Sequence, residues 1–180
     1  MTVGILGLGL IGGSLARAYK LAGHTVYVKN RDERMLSFAM LSGAVDGKLN
    51  EDTIPQCDLI LLAIYPAGSA DWLEANAPLI SKEALVIDCC GTKQLVCQRC
   101  FPIAKEYGFT FVGGHPMAGS QFSGFKYSRA SLFQGAPMVL VPPVYDDMAL
   151  LQRVKDALEP CGFGFFSVTT AADHDRMIAF

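Results

Sequence analysis

Hydrophobic and polar positions alternate along this chain with two different periods. Short apolar runs bounded by turn residues predict strands, and longer amphipathic stretches predict helices. Over the first 112 residues the two kinds of element follow each other in turn. Strands are predicted at 2–6, 25–28, 59–64, 85–88 and 110–112, and helices at 11–22, 32–42, 69–77 and 93–107. Such alternation is typical of parallel βαβ units.

The remainder of the chain continues the pattern after a loop rich in glycine, serine and phenylalanine. A strand is predicted at 137–141, a helix at 147–158, a strand at 164–168 and the beginning of another helix at 170. The whole pattern predicts an α/β fold with a doubly wound, mostly parallel, Rossmann-like sheet that carries helices on both faces.

Composition and charge narrow the classes of function. Hydrophobic residues make up 51% of the chain, but no continuous apolar run is long enough to cross a bilayer. The 15 basic and 17 acidic residues are intermixed, so no basic surface for nucleic acid or anionic lipid is expected. We therefore expect a cytoplasmic enzyme with a small-molecule substrate and with neither a nucleic-acid nor a membrane partner.

The six cysteines include one pair, Cys97 and Cys100, with the spacing of a metal or redox site. Both lie inside a predicted helix, and no second Cys/His pair follows at a suitable distance. Small buried thiols are common in the cores of reduced proteins. We therefore expect core thiols and no metal.

A glycine-rich turn at 7–12 follows the first predicted strand directly and opens a helix, which is the context of a dinucleotide-binding motif. Gly7 would permit the tight turn, Gly9 would leave room for the pyrophosphate, and Gly12 would let helix and strand pack closely. The alternative is a glycine-rich turn without a ligand. The residues expected to bind the cofactor here are Gly7, Leu8, Gly9, Leu10, Ile11, Gly12, Ile64 and Tyr65.

The end of the second predicted strand bears on the choice between NAD and NADP. NAD enzymes usually place a carboxylate there to accept hydrogen bonds from the ribose, but Asn30 occupies the expected position. A neutral amide tolerates a 2′-phosphate, and the guanidinium of Arg31 could bind one. The sequence favours NADP, with NAD as the alternative if Asp32 takes the acidic role.

His115 follows the strand predicted at 110–112, within a glycine-rich loop. It should therefore lie at the carboxyl edge of the sheet, where doubly wound folds bind ligands. Imidazole can accept the proton of a substrate hydroxyl near neutral pH. We interpret His115 as catalytic, although a lone histidine can also be purely structural.

Four segments together resemble the prephenate/arogenate dehydrogenase family of tyrosine biosynthesis, and the resemblance spans essentially the whole chain. They are Gly-Leu-Gly-Leu-Ile-Gly-Gly-Ser at 7–14, Gly-Gly-His-Pro-Met-Ala-Gly-Ser at 113–120, the Leu132-Phe133 pair before a strand ending in Pro142, and Asp173-His174-Asp175. The glycine turn alone would admit many dehydrogenase families, whereas its combination with the histidine motif is more specific.

The resemblance implies NAD(P)-dependent oxidative decarboxylation of prephenate to 4-hydroxyphenylpyruvate, or of arogenate to tyrosine. It assigns His115 to the substrate hydroxyl and places Ser120 and Gln121 near the substrate. Relatives mostly have a serine that positions the nicotinamide three residues after the aspartate of the fifth strand. Here that position is Gly91, so Thr92 is the candidate to supply the hydroxyl.

The family also implies a C-terminal helical domain that forms a dimer. We expect residues 1–168 to form the NAD(P)-binding domain and 169–180 to begin a truncated helix, the helical domain being essentially absent; a short docked tail is the alternative. A homodimer is expected only where that domain is present. His174 is either a catalytic residue or a polar residue of a first helical turn.

Two other functions are also compatible with the sequence. One is another small-substrate dehydrogenase, of the hydroxyacid dehydrogenase or imine reductase type. The other is a nucleotide-binding domain without catalytic activity.

Overall fold

A computed structural model of the chain describes residues 1–179, which form an eight-stranded sheet flanked by six helices. The strands are β1 Thr2–Leu6, β2 Thr25–Lys29, β3 Gly47–Lys48, β4 Leu59–Leu62, β5 Leu85–Asp88, β6 Thr110–Pro116, β7 Pro137–Val141 and β8 Phe165–Val168. The helices are α1 Leu10–Leu21, α2 Glu33–Leu41, α3 Pro66–Asn76, α4 Gln94–Tyr107, α5 Met148–Ala157 and α6 Ala171–Ile178.

The strands lie in the order β3-β2-β1-β4-β5-β6-β7-β8. All neighbours from β3 to β6 are parallel, and β1 lies between β2 and β4, with Val3 paired to both Val26 and Leu59. The strand order reverses at this point, which creates a crevice at the carboxyl edge of the sheet. The predicted doubly wound, mostly parallel fold is confirmed.

Two hydrophobic cores lie on opposite faces of the sheet. One includes buried residues of α1, α2 and α5, such as Leu15, Leu36 and Val154. The other includes buried residues of α3 and α4, such as Leu73 and Val96. Because helices cover both faces, the central strand β4 is buried at every position and reads as a continuous apolar run.

The histidine segment differs from its prediction. The strand predicted at 110–112 runs on to Pro116, so His115 lies within β6 and not in a loop. The first half of β6 pairs with β5, and its second half pairs antiparallel with β7, where His115 faces Val139. Side chains at Gly113 and Gly114 would collide with their neighbours. A Cβ added at Gly113 would lie 2.7 Å from Cys97 Sγ, and one added at Gly114 would lie 2.7 Å from the backbone carbonyl oxygen of Asp88. These glycines serve close packing, although a glycine pair in a sequence usually indicates a turn.

Other boundaries moved by a few residues. Helix α3 begins at Pro66 instead of 69, because proline fits the first helical position, and β4 ends at Leu62 instead of 64. The two-residue strand β3 was not predicted. No helix among residues 1–179 is long and apolar enough to span a membrane.

Cys97 and Cys100 lie in α4 and are buried in the core on that face. Burial raises the pKa of both thiols to about 12, so they are neutral at physiological pH. Among residues 1–179, no three His, Cys, Asp or Glu side chains are grouped so that they could hold a metal ion.

Candidate active site

The glycine turn between β1 and α1 has the geometry of a ligand cradle. Gly7 has a φ of +97°, and an added Cβ there would lie 2.6 Å from the Ala63 carbonyl oxygen. A Cβ on Gly12 would lie 2.0 Å from the Gly7 oxygen. Both positions therefore require glycine for the fold itself. Gly9 is different, because it is exposed and a Cβ there would meet no atom within 4 Å.

Helix α1 begins over this open space. Its N-cap is Gly9, which provides no side-chain hydrogen bond to the first turn. The first N–H groups and the positive end of the helix dipole are therefore available to an anion. These features fit the pyrophosphate of a dinucleotide.

The residues around the turn differ in how far their side chains are buried. The Leu8 side chain is buried in the core, so its backbone alone faces the cradle, and Leu10 and Ile11 are half-buried. Ile64 packs beside the turn, with its Cγ2 2.6 Å from where a Gly7 Cβ would be. Tyr65 is 86% exposed and forms the N-cap of α3.

The end of β2 presents an amide and a guanidinium. Asn30 Oδ1 accepts a hydrogen bond from the Leu8 N–H at 3.1 Å, which ties the glycine turn to β2. The Asp32 carboxylate caps α2 by accepting from the N–H groups of Arg34 and Met35 at 3.0 and 3.2 Å. Arg31 is exposed beside them. The carboxylate next to the expected ribose position is therefore already engaged in a helix cap.

A buried ion pair lies at the carboxyl end of β5, beside β6. The side chains of Asp88, at the end of β5, and Lys93, just before α4, are both fully buried, and the Lys93 ammonium donates to Asp88 Oδ2. Asp88 Oδ1 accepts from the Gly114 N–H at 3.1 Å, and Oδ2 accepts from the Cys90 N–H at 3.0 Å. This pair fixes the turn after β5 against the strand that carries His115.

His115 is half-buried at the same edge. Burial, and to a lesser extent the neighbouring His174 and Lys93, lower the pKa of its imidazole from 6.5 to about 4. Asp175 opposes them only in part. At neutral pH the imidazole is therefore uncharged and can accept a proton.

A second histidine contacts the first. His115 Nδ1 lies 2.8 Å from Nε2 of His174, which is buried, and the two rings meet edge to face. His174 Nδ1 lies 2.7 Å from Asp175 Oδ1. The Asp175 carboxylate also accepts from the N–H groups of Lys93 and Gln94 at 2.7 and 2.9 Å. Helix α6 thus links His115 to the beginning of α4.

Sequence reasoning did not single out Asp88, Lys93 or Asp175. An aspartate at a strand end followed five residues later by a lysine is a weak signal. The contact between Lys93 and Asp175 spans 82 positions and depends on where α6 lies. The Asp-His-Asp segment at 173–175 was a usable signal for His174 and Asp175. The sequence did not indicate that His174 contacts His115.

The other predicted site residues are less closely joined. Thr92 is exposed in the turn between β5 and α4. Ser120 and Gln121 are exposed after β6, and Ser120 Oγ accepts from the Phe122 N–H at 3.2 Å. The structure brings none of these three side chains into hydrogen-bond contact with His115, so their roles stay predictions.

The chain is similar to known proteins in its family, its sequence and its structure. The family described as "Prephenate dehydrogenase, nucleotide-binding domain" matches residues 15–166. The chain is 30% identical over 178 residues to the probable prephenate dehydrogenase NovF of Streptomyces niveus, covering 99% of this chain and 48% of that protein. It is 28% identical to a cyclohexadienyl dehydrogenase of Zymomonas mobilis, covering 98% of this chain and 61% of the relative. The chain therefore spans about half of the length of the first relative and three fifths of the second.

Solved structures agree with this relationship. The arogenate dehydrogenase of Synechocystis superposes with a TM-score of 0.87 at 31% identity, over 99% of this chain and 63% of that one. The prephenate dehydrogenase of Aquifex aeolicus, solved with hydroxyphenyl propionate and NAD+, gives 0.84 at 27% identity, over 99% and 63%. An imine reductase of Myxococcus stipitatus shares the fold at 16% identity, with a TM-score of 0.73 over 99% and 59%. The predicted resemblance is confirmed, and the chain belongs to the prephenate dehydrogenase family, within its nucleotide-binding domain.

Proposed function

We propose that this chain binds NADP and supplies the proton-accepting histidine for oxidative decarboxylation of a cyclohexadienol. The substrate is prephenate, which would give 4-hydroxyphenylpyruvate, or arogenate, which would give tyrosine. One observation carries the proposal beyond family membership. An uncharged His115 lies at the carboxyl edge of the same sheet that forms an open cradle for a dinucleotide.

The chemistry assigns a definite task to His115. When bound, NAD(P)+ would be the oxidant, because it accepts a hydride from the hydroxyl-bearing ring carbon. His115 accepts the hydroxyl proton as that carbon becomes a carbonyl. The bond between the ring and its carboxylate then breaks, the electron pair passes through the ring to the oxygen, and His115 returns the proton to give a phenol. Carbon dioxide leaves, and aromatisation drives this step.

The choice of NADP rests on the end of β2. Asn30 is neutral and already holds the glycine turn, and Asp32 is engaged as the cap of α2. Arg31 is exposed and offers a planar pair of donors for a phosphate. NAD is the alternative, and it is the cofactor in the Aquifex aeolicus complex.

Three further roles belong to the proposal. We assign the Thr92 hydroxyl to the nicotinamide, because Thr92 follows the end of β5 at the same edge of the sheet. We assign Ser120 and Gln121, in the exposed loop after β6, to the substrate. Gln121 is then the candidate for discrimination between the keto group of prephenate and the amino group of arogenate. A homodimer is expected only for a protein that also carries the helical domain of the family.

The test is a product assay on the 180-residue chain. The protein is incubated at high concentration with NADP+ and either prephenate or arogenate, and NADPH and the aromatic product are measured against a control without protein. We expect weak turnover of one substrate, because the helical domain of the family is absent from this chain, with NADPH and the aromatic product formed in equal amounts. A protein that binds NADP but forms no aromatic product from either would contradict the proposal. Oxidation of a hydroxyacid or reduction of an imine would favour the other dehydrogenase types, and an absence of all turnover would favour a binding domain.

A further inference from the structure

We propose that His174 and Asp175 are positioning residues that hold His115 in one tautomer, with the proton on Nδ1 and a free lone pair on Nε2. The use of that lone pair in catalysis rests on the proposed function. The tautomer itself is a property of this chain alone.

The Asp175 carboxyl group determines the direction of the first hydrogen bond in this chain of contacts. Burial alone would raise the pKa of its carboxyl group, but hydrogen bonds from His174 and from the N–H groups of Gln94 and Lys93 outweigh burial and lower it. The carboxylate is therefore ionised at neutral pH, and an ionised carboxylate can only accept hydrogen bonds. At 2.7 Å from Asp175 Oδ1, Nδ1 of His174 must carry a proton.

The next contact follows from the first. A neutral imidazole with its proton on Nδ1 has a lone pair on Nε2. Nε2 of His174 lies 2.8 Å from Nδ1 of His115, and in the neutral form of His174 it has no proton to give, so the His115 nitrogen donates in this pair. The opposite tautomer of His115 would place two lone pairs against each other at this distance. Neutral His115 consequently keeps Nε2 unprotonated.

The position of the carboxylate makes this chain of contacts rigid. Asp175 accepts the backbone N–H groups of Lys93 and Gln94 at the beginning of α4, where the helix dipole also favours negative charge. The Thr170 hydroxyl caps α6 by accepting from the Asp173 N–H at 3.2 Å. Both ends of the contact are therefore fixed to regular secondary structure.

The charges that face His115 come from three segments. His174 and Asp175 lie on α6, and Lys93 lies at the start of α4, paired with Asp88 of β5. When Nε2 of His115 takes a proton, the imidazolium still donates from Nδ1 to His174, and the charge of Asp175 favours this protonated form. An oriented histidine partnered by a carboxylate is a known device for holding a base in the required tautomer.

Nitrogen NMR tests the tautomer directly, without cofactor or substrate. The chain has three histidines, so two-bond ¹H–¹⁵N spectra of ¹⁵N-histidine protein can resolve each ring, with His24 as the reference. At pH 7 we expect His115 and His174 both protonated on Nδ1 and unprotonated on Nε2. A His115 protonated on Nε2, or a His174 protonated on both nitrogens, would overturn the inference.

Variants separate the positioning role from a general loss of structure. In Asp175→Ala and His174→Ala we expect His115 to become a mixture of tautomers. Asp173→Ala is the matched control on the same helical turn, and it should leave the His115 signals unchanged. If both variants at 174 and 175 fail to fold, the wild-type spectrum still decides the matter. An unchanged His115 tautomer in a folded Asp175→Ala protein would contradict the proposal.

Kinetics separate this inference from the proposed function. In a protein that turns over, Asp175→Ala should lower kcat by about 10- to 100-fold with little change in KM, the scale expected for a partner that orients a functional imidazole. The expected tautomer in a protein that forms no aromatic product would support the inference and reject the proposed function. Normal turnover with His115 protonated on Nε2 would do the reverse.

Discussion

His115 combines three features that a proton acceptor needs: it is half-buried, it is uncharged at neutral pH, and one of its ring nitrogens is held by a fixed partner. The pKa of about 4 means that the imidazole remains a base well below the pH at which a free histidine is half protonated.

Replacement of His115 by asparagine should separate chemistry from cofactor binding. We expect His115→Asn to lower turnover by about 100- to 10,000-fold, the usual range for loss of an acid-base group. The dinucleotide cradle lies on other strands, so the Kd for NADP should not change. Steady-state kinetics and a fluorescence titration measure the two quantities. Turnover within a few-fold of the wild type would show that His115 is not the base.

Stability should depend on pH through the same ring. The folded pKa of His115, about 4, lies below its ordinary value of 6.5, so the unfolded chain binds more protons between these values. The free energy of unfolding should therefore fall as the pH falls from about 6.5 to 4. Urea unfolding at several pH values measures this, and His115→Asn should show a smaller fall. Equal slopes for the two proteins would argue against the lowered pKa.

Arg31 should determine the preference for NADP. A hydrogen bond to a charged group contributes about 1.5–3 kcal/mol, so Arg31→Ala should raise the Kd for NADP by roughly 10- to 100-fold and leave NAD binding unchanged. Arg99→Ala is the control, since Arg99 pairs with Asp71 and Glu74 away from the cradle. Equal or tighter binding of NAD by the wild type would overturn the NADP assignment.

At the scale of elements, local patterns predicted the early strands and helices well because each contains its own signals. The bounds predicted for β1, β5 and β7 were confirmed, and α1 was shifted by one residue. The continuation of β6 was missed, because strand pairing with β7 overrides the usual meaning of two adjacent glycines.

The residues of the candidate site likewise divide into those with local sequence signals and those that depend on distant contacts. Glycines and the histidine motif are local signals, so the cradle and His115 could be found in the sequence. The contacts from His115 to His174 and from Lys93 to Asp175 span 59 and 82 positions. Such pairs depend on tertiary packing, which periodicity does not encode. The domain boundary at 168 likewise stays a prediction.

Two glycines of the turn, the exposed Gly9 and the buried Gly12, should respond differently to an added methyl group. Gly9→Ala should fold with an unchanged Tm, because the new Cβ meets no atom within 4 Å, but it should bind NADP about tenfold or more weakly because it enters the cradle. Gly12→Ala should lose about 1–3 kcal/mol of stability, since its Cβ would collide with the Gly7 oxygen. Thermal unfolding and NADP titration measure both. Unchanged affinity in Gly9→Ala would mean that no pyrophosphate lies there.

At the scale of the whole molecule, the order β3-β2-β1-β4-β5-β6 places the crevice at the β1/β4 boundary, between the cradle side and the His115 side of the sheet. The helices on both faces hold these strand ends at fixed separations. A ligand that spans the crevice contacts strand ends that lie together only in the folded chain. Its binding would therefore stabilise the folded state as a whole.

Cofactor should stabilise the entire 180-residue chain. At a concentration of 100 times Kd, a ligand of the folded state adds about 2.7 kcal/mol. For a domain of this size that corresponds to a rise in Tm of roughly 5–11 °C. Thermal unfolding with increasing NADP measures the shift, and NAD at the same concentration should give a smaller one. No shift at millimolar NADP would contradict dinucleotide binding.

Helix α6 has an unusual consequence for how this protein could be damaged. The linked side chains of His174 and Asp175 reach the ring of His115 from a segment that belongs to neither the glycine turn nor the sheet. A protease cut just after Thr169 would therefore leave the cradle in place. The same cut would separate the helix that carries His174 and Asp175 from the strand that carries His115. With the proposed binding of NADP, an immobilised nucleotide would retain such a clipped molecule together with the intact one, so purification by this route would not remove it.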